Sequence, residues 1–265
     1  MNQKIQILAD KLITASKDYY NSSPSISDSE YDALADELRS LDPQNPALTT
    51  VGASPLTGGG WPKVTHTIPM GSLNKVQILP ELQDWFPKNY HGNLVIMDKL
   101  DGSSCSLRYS KGRLVQALTR GDGNIGEDIT RNVLLMQGIV KVLPFFPISS
   151  APDEIFIRGE LIVTHKDFDQ YFQGESNPRN TANGTAKRQT NPEKCKYVTF
   201  KAYNYMPNGV AMSQKSEELS MLTCLGFQTP RWSEVQTIAD VEIEYQKYVA
   251  SIRKNIGYDI DGLVI

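Results

Sequence analysis

Cysteine is scarce. The 265 residues hold three, Cys105, Cys195 and Cys224, an odd number with no Cys-x-x-Cys spacing. That pattern argues against a disulfide framework or a zinc ribbon and leaves reduced, mostly structural thiols. Long apolar runs are missing as well, since none approaches the roughly 18 residues that a membrane span needs. The opening stretch MNQKIQILADKLITASKDYY lacks the basic start, apolar centre and small-residue cleavage site of a secretory signal. These absences predict a cytoplasmic chain with no membrane partner. Charge of one sign is not in excess either. A net charge of −3 argues against nonspecific polyanion binding by the whole surface, although NPRNTANGTAKRQTNPEKCK is a local basic cluster.

A chain of this length can bury a real core and fits one large domain, or one large and one small. Ile5, Leu8, Leu12, Ala15 and Tyr19 recur at helical spacing over residues 2 to 20 and make one apolar stripe. Ser27 followed by Glu30 is a capping box, after which Tyr31, Leu34, Leu38 and Leu41 repeat the stripe until Asp42-Pro43. The prediction is a helical hairpin of about 40 residues. In DPQNPALTTVGASPLTGGGWPK periodicity gives way to Pro, Gly, Ser and Thr, so a long connection is expected, with a domain boundary near residues 50 to 65.

Strand signals prevail beyond it. HGNLVIMDKL, SSCSLRYS and RLVQALTRGDG, the last two joined by a Lys-Gly turn, predict a meander. EIFIRGELIVT, KYVTFKAYNYMP and GYDIDGLVI read as further strands. GEDITRNVLLMQGI, KDFDQYFQG, SQKSEELSMLTCLG and IADVEIEYQKYVASIRKN read as helices. The fold class is therefore α+β, with antiparallel sheets in the larger part.

One stretch, LVIMDKLDGSSCSLRY at residues 94 to 109, sets a lysine inside an otherwise buried-looking strand. Alternation puts Val95, Met97, Lys99 and Asp101 on one face and Leu94, Ile96, Asp98 and Leu100 on the other, so Lys99 is expected among apolar neighbours. An ammonium there must be paired or lose its proton, and a deprotonated lysine is a good nitrogen nucleophile. The plainer alternative is a lysine snorkelling from a strand edge beside an Asp-Gly hairpin turn. TRGDGNIGEDITRN carries Arg120 on a glycine-rich turn, IRGEL sets Arg158 and Glu160 on one strand face, and DIDGLVI sets Asp259 and Asp261 beside a glycine. Each alone is more simply read as turn chemistry or a surface ion pair. Together, one lysine, several arginines and spaced carboxylates suit phosphoryl chemistry with Mg²⁺.

The sequence resembles the NAD-dependent DNA ligases of bacteria and some viruses over nearly its whole length. Lys99 to Gly102, KLDG, looks like the nucleotidyltransferase signature whose lysine becomes linked to AMP. The tetrapeptide alone is weak. Its order with YYNSSPSISDSEYDAL, VGASPLTGGGWPKVTHTIPMGSLNKV, SLRYSKGRLVQALTRGDGNIGEDITRN, IRGEL and NPRNTANG is specific. The resemblance implies a helical domain that recognises nicotinamide mononucleotide (residues 1–62, linker included). It also implies an ATP-grasp-like adenylation domain (residues 63–265), with NAD and Mg²⁺ as cofactors. By this resemblance Lys99 attacks the α-phosphorus of NAD, and AMP then passes to the 5′-phosphate of a nick in double-stranded DNA. Asp101 and Glu160 match carboxylates on the ribose side, Arg120 and Arg179 match arginines near the phosphates, and Asp261 matches the carboxylate of the last strand. Tyr203 matches the aromatic stacked on adenine, and Ser72 with Leu73 the segment beside it. Tyr19, Asp28, Tyr31 and Asp32 fit the elements that close over the nicotinamide half, although Tyr31 also suits a core position and Asp28 a helix N-terminus.

Three positions depart from the family pattern. Tyr20 stands where a histidine is usual, and a neutral phenol does not replace an imidazolium near a phosphate. Met97 stands where a glutamate reads the adenine amino group. Lys187 stands for an arginine and keeps the charge without the bidentate fork, with Arg188 next to it. The chain also stops one residue before the family's next lysine and before its DNA-binding domains. That predicts the nucleotide-loading half of such an enzyme, either excised or a natural subunit completed by a second polypeptide, as in a split viral ligase acting in the host cytoplasm. Two alternatives stay open: an RNA-sealing relative and a degenerate NAD-binding scaffold.

Overall fold

The computed structural model describes residues 2–20, 26–48, 60–76, 78–90, 92, 94–144 and 152–265. Their packing divides the chain into two compact units, residues 1–72 with 118–128, and residues 73–117 with 129–265.

The first unit begins with α1 (Asn2–Tyr20) and α2 (Asp28–Leu41). The expected capping box is formed: the Ser27 hydroxyl accepts from the Glu30 N–H, while the Glu30 carboxylate accepts from the Ser27 N–H at 2.8 Å. It satisfies two of the orphan donors at the start of α2. The stripes meet as the pattern requires. Leu8, Ala9, Leu12, Leu38 and Ala47 are buried together, flanked by Ile5, Tyr31, Leu34 and Leu41. Each fully buried leucine contributes about 1.5–3 kcal/mol relative to an exposed one. Downstream, β1 (Lys63–Thr65) pairs antiparallel with a strand over Ile125–Glu127. Most of the Pro/Gly-rich connection expected near residues 50 to 65 lies outside the described residues.

The second unit opens with α3 (Leu79–Asn89) and the strands β2 (Leu94–Leu100), β3 (Ser103–Ser110) and β4 (Arg113–Thr119). The Ile125–Glu127 strand of the first unit is β5. Then come α4 (Thr130–Val133), β6 (Glu154–Ile162), α5 (His165–Tyr171), α6 (Pro178–Ala186), β7 (Thr199–Pro207), α7 (Lys215–Cys224), β8 (Trp232–Val235), α8 (Ile238–Lys247) and β9 (Ile260–Val264). They build two sheets, with strand orders β8-β2-β9 and β4-β3-β6-β7. The α+β class with antiparallel sheets and flanking helices is the observed one.

The expected meander is only half present. β3 and β4 are neighbours, joined through Lys111 and Gly112, both at positive φ (48° and 73°), as a two-residue hairpin requires. β2 belongs instead to the other sheet, between β8 and β9. The Asp101-Gly102 link is therefore not a hairpin turn. Asp101 N–H continues the β2–β9 pairing by donating to Asp259 O at 3.1 Å, and β3 then runs along β6 for eight positions. Gly102 permits the crossing, because a Cβ there would lie 2.3 Å from Leu161 O.

Two further differences have local causes. GEDITRNVLLMQGI forms a single helical turn, α4, since its Gly-Glu start is taken by β5. NPRNTANGTA, rich in poor helix formers, is nonetheless helix α6, because Asn177 caps it and Pro178 opens it. The β8-β2-β9 sheet carries a core of Phe86, Ile96, Val235 and Val241, packed against Leu82 and Trp85 of α3 and Ile238 of α8.

Candidate active site

Lys99 sits near the end of β2, and its neighbour on β9 is set by an irregularity in the pairing. Lys99 lies opposite Gly262 and Leu100 opposite Ile260, so Asp261 is the extra residue on β9. A bulge bends the strand and re-aims a side chain; here Asp261 reaches Lys99, whose Nζ donates to Asp261 Oδ2. Gly262, at φ 140°, takes the backbone conformation that this irregularity demands.

The expectation of an apolar setting for Lys99 is corrected. Its side chain is 45% exposed and that of Asp261 51% exposed. The buried charge is its neighbour Asp98, with a fully buried side chain whose Oδ1 accepts from Arg231 Nη2 at 2.8 Å. Burial raises the Asp98 carboxyl pKa above the usual range, with Arg231 pulling the other way. The sequence misleads here because Leu94–Met97 is apolar throughout and carries no alternation from which to choose a face.

Asp101, just past β2, accepts from Arg179 Nη1 at 2.8 Å. Arg179 lies in the first turn of α6. Burial lowers its guanidinium pKa, and the Asp261 charge acts against that. Lys99, Asp261, Arg179 and Asp101 thus form one alternating set of charges, brought together by β2, β9 and α6. Glu160 of β6 is buried and accepts from Ser104 Oγ of β3 at 3.0 Å, and the crossing at Gly102 passes against its side chain. Ser103 Oγ in turn reaches Asn183 of α6 at 3.2 Å.

Tyr203 is also placed by an irregularity. Arg158 pairs with Asn204 and Gly159 with Ala202, which leaves Tyr203 as the extra residue of β7, half-buried. Met97, partly buried, shares the Lys99 face of β2, and Lys187 is the C-cap residue of α6. Leu73 is exposed.

Arg120 and Ser72 belong to the first unit. There the Arg120 guanidinium donates to Gly71 O at 3.1 Å and to Ser72 Oγ at 3.4 Å. His66 anchors the same turn: its buried Nε2 faces the carbonyls of Thr119 and Arg120 at 3.0 and 3.1 Å, so Nε2 carries the hydrogen. Tyr19 and Tyr20 close α1, and Asp28 and Asp32 lie in α2; their side chains are outside the described set. Tyr31 packs half-buried against the helical core. The sequence reading missed His66, Arg231 and the His165–Asp259 pair at 2.8 Å; lone residues in ordinary strands and turns leave no spacing signal. Among the described residues, no three His, Cys, Asp or Glu side chains stand together as a metal cage, and no helix is long and apolar enough to cross a membrane.

Residues 59–265 match the family model of the NAD-dependent DNA ligase adenylation domain, and residues 1–56 that of the DNA ligase-like N-terminal NAD+-binding domain. A DNA ligase of Treponema denticola is 40% identical over 261 residues, covering 93% of this chain and 39% of that protein. One from Sorangium cellulosum is 35% identical over 290 residues, covering 99% and 41%. One from Treponema pallidum is 33% identical over 268 residues, covering 97% and 32%. The chain spans about two fifths or less of the length of these relatives.

Proposed function

This chain belongs to the family of NAD-dependent DNA ligase adenylation domains, and we propose that it performs the nucleotide-loading step of NAD-dependent sealing of nicked DNA, with Lys99 as the nucleophile. The observation that carries the reading is the Lys99–Asp261 pair, half-exposed and flanked by Arg179 and Asp101. An amine held this way is accessible to a dinucleotide phosphate and oriented before it arrives.

Lys99 must first give up its proton, because an ammonium has no lone pair, and Asp261 is the adjacent acceptor. The Nζ lone pair then attacks the adenylyl phosphorus of NAD. The N–P bond forms as the P–O bond to nicotinamide mononucleotide breaks, and the leaving oxygen takes the electron pair. Lysyl-AMP remains. In the following steps a 5′-phosphate oxygen at the nick takes AMP from Lys99, and the 3′-hydroxyl displaces AMP to close the strand.

Arg179 and Arg120 would balance charge growing on the phosphate oxygens, and Lys187 would add a cation without a fork. Asp101 and Glu160 would hold the ribose, Tyr203 would stack on adenine, and Met97, Ser72 and Leu73 would line the base. Tyr19, Tyr20, Asp28, Tyr31 and Asp32 would meet the nicotinamide half, which gives residues 1–62 and 63–265 separate tasks. These assignments rest on the resemblance. Mg²⁺, which the resemblance implies, would offset negative charge on the diphosphate of NAD. The expected setting is the cytoplasm, with nicked DNA bound in part by other segments or by a second subunit.

The test is intact-mass and peptide mapping after incubation with NAD. AMP should appear on Lys99, vanish with excess nicotinamide mononucleotide, and be absent from Lys99→Ala and Lys99→Arg, since a guanidinium stays protonated. AMP on another residue, or equal loading from ATP, refutes the reading. An unmodified chain at every NAD concentration would favour a scaffold.

A further inference from the structure

β2 carries opposite charges on adjacent residues, each paired on its own face, and this has a consequence for register. A one-residue slip of a strand turns every side chain to the other face. Where the apolar residues alternate, burial forbids the slip. In β2 they do not alternate: Leu94, Val95, Ile96 and Met97 are all apolar, and either face would serve the core.

The charges make the distinction that the apolar residues cannot. On the buried face, Asp98 Oδ1 accepts from Arg231 Nη2, and the Asp98 N–H donates to Arg231 O at 3.0 Å, so side chain and backbone engage the same residue. Arg231 is itself held by Glu244 of α8 at 3.1 Å, and Glu244 by Lys247 at 2.7 Å. Asp98 Oδ2 is buried with no hydrogen-bond partner among the described residues, so the pair with Arg231 through Oδ1 is what offsets the cost of burying this carboxylate. Lys201 of β7 is the other cation that acts on it. On the open face Lys99 meets Asp261. A slip that brought Lys99 opposite Arg231 would set like charges together on the buried face, and a slip the other way would bring Asp98 into the place of Lys99 beside Asp261, so either direction is penalised.

We infer that the Asp98–Arg231 pair fixes the register of β2 and thereby the face from which Lys99 emerges, making Asp98 a positioning residue for the lysine. Buried ion pairs are weak sources of net stability, and setting register is among their best-attested uses. The catalytic consequence rests on the reading of Lys99 as nucleophile; the register itself does not.

The experiment reads both. In a Cys224→Ser background, Val95→Cys with Glu234→Cys places two thiols opposite each other in the observed register. Ile96→Cys with Glu234→Cys does so only after a one-residue slip. Each pair is oxidised in three forms of the full chain: Asp98 intact, Asp98→Leu, and the double variant Asp98→Leu/Arg231→Met. The double variant removes both charges and avoids an unpaired buried arginine if the single one fails to fold. With Asp98 intact only the first pair should cross-link. In the double variant the slipped pair should cross-link as well. Lysyl-AMP formation from NAD should fall by more than about 100-fold with half-saturating NAD unchanged. A one-residue slip moves Lys99 by about 3.3 Å and turns it to the other face, well beyond the roughly 1 Å misplacement that already costs about 100-fold. A purely structural role would instead lower the melting temperature and leave both readouts alone. If the double variant cross-links only in the observed register and loads AMP at the parent rate, the inference is overturned. If the register shifts while the parent itself loads no AMP, the register inference stands and the nucleophile reading fails.

Discussion

Gly102→Ala isolates how finely the crossing from β2 to β3 holds Lys99 and Asp101. A Cβ at this position would meet Leu161 O at 2.3 Å, Glu160 Cγ at 2.9 Å and Ile162 Cγ2 at 3.0 Å, whereas ordinary contact begins at 3.4 Å. The nearest of these is a backbone carbonyl inside the β3–β6 ladder and cannot swing away, so the Asp101-Gly102 segment has to retreat by about 1 Å. Such overpacking costs about 1–3 kcal/mol of stability. The same displacement moves Asp101 off Arg179 and disturbs Lys99 two residues earlier, for which a roughly 100-fold loss of lysyl-AMP formation is expected. Gly184→Ala is the control: nothing lies within 4 Å of its Cβ position, and it sits inside helix α6, so the change should stabilise by about 1 kcal/mol and leave adenylation untouched. Single-turnover intact mass with saturating NAD gives the rates, and urea denaturation the stabilities. A Gly102→Ala chain that loads AMP at the parent rate would refute the claim that this close approach positions the site.

Arg179→Ala should leave Asp101 without its 2.8 Å partner and lower adenylation by about 100- to 1,000-fold, the usual effect of losing one well-placed charged donor; Arg179→Lys should recover part of it, checked by the same rate measurement. For the helical hairpin, Ser27→Ala should cost about 1 kcal/mol of stability in urea denaturation. The Glu30 carboxyl is held below its ordinary pKa of 4.5, first by the Ser27 backbone N–H and then by its hydroxyl. A carboxylate lowered on folding stabilises at pH above its unfolded value, and that contribution disappears as pH falls through the lowered one. Glu30→Gln should therefore flatten the acid limb of the stability profile below about pH 4.5, and an unchanged limb would show that the box contributes nothing measurable.

The amino-acid sequence by itself determined what depends on near neighbours. The α1 and α2 stripes, the Ser27–Glu30 box, the strands β6, β7 and β9 and the Lys111-Gly112 turn are set by residues within four positions of one another, and all are found where the pattern puts them. The ordered motifs around Lys99 were equally legible, because they are strings of residue types. Tertiary structure decided what depends on distant partners. It took β2 out of the meander, since β8 and β9 pair with it from more than 130 residues away. It made Asp98 rather than Lys99 the buried charge, since four apolar residues in a row leave the face of β2 undefined until Arg231 selects it. It also aimed Asp261 and Tyr203 through irregular strand pairing, which becomes visible only when both strands are in register. Local propensity acts over one turn or one pleat, whereas the charges that surround Lys99 are gathered by contacts spanning 78 to 162 positions of chain.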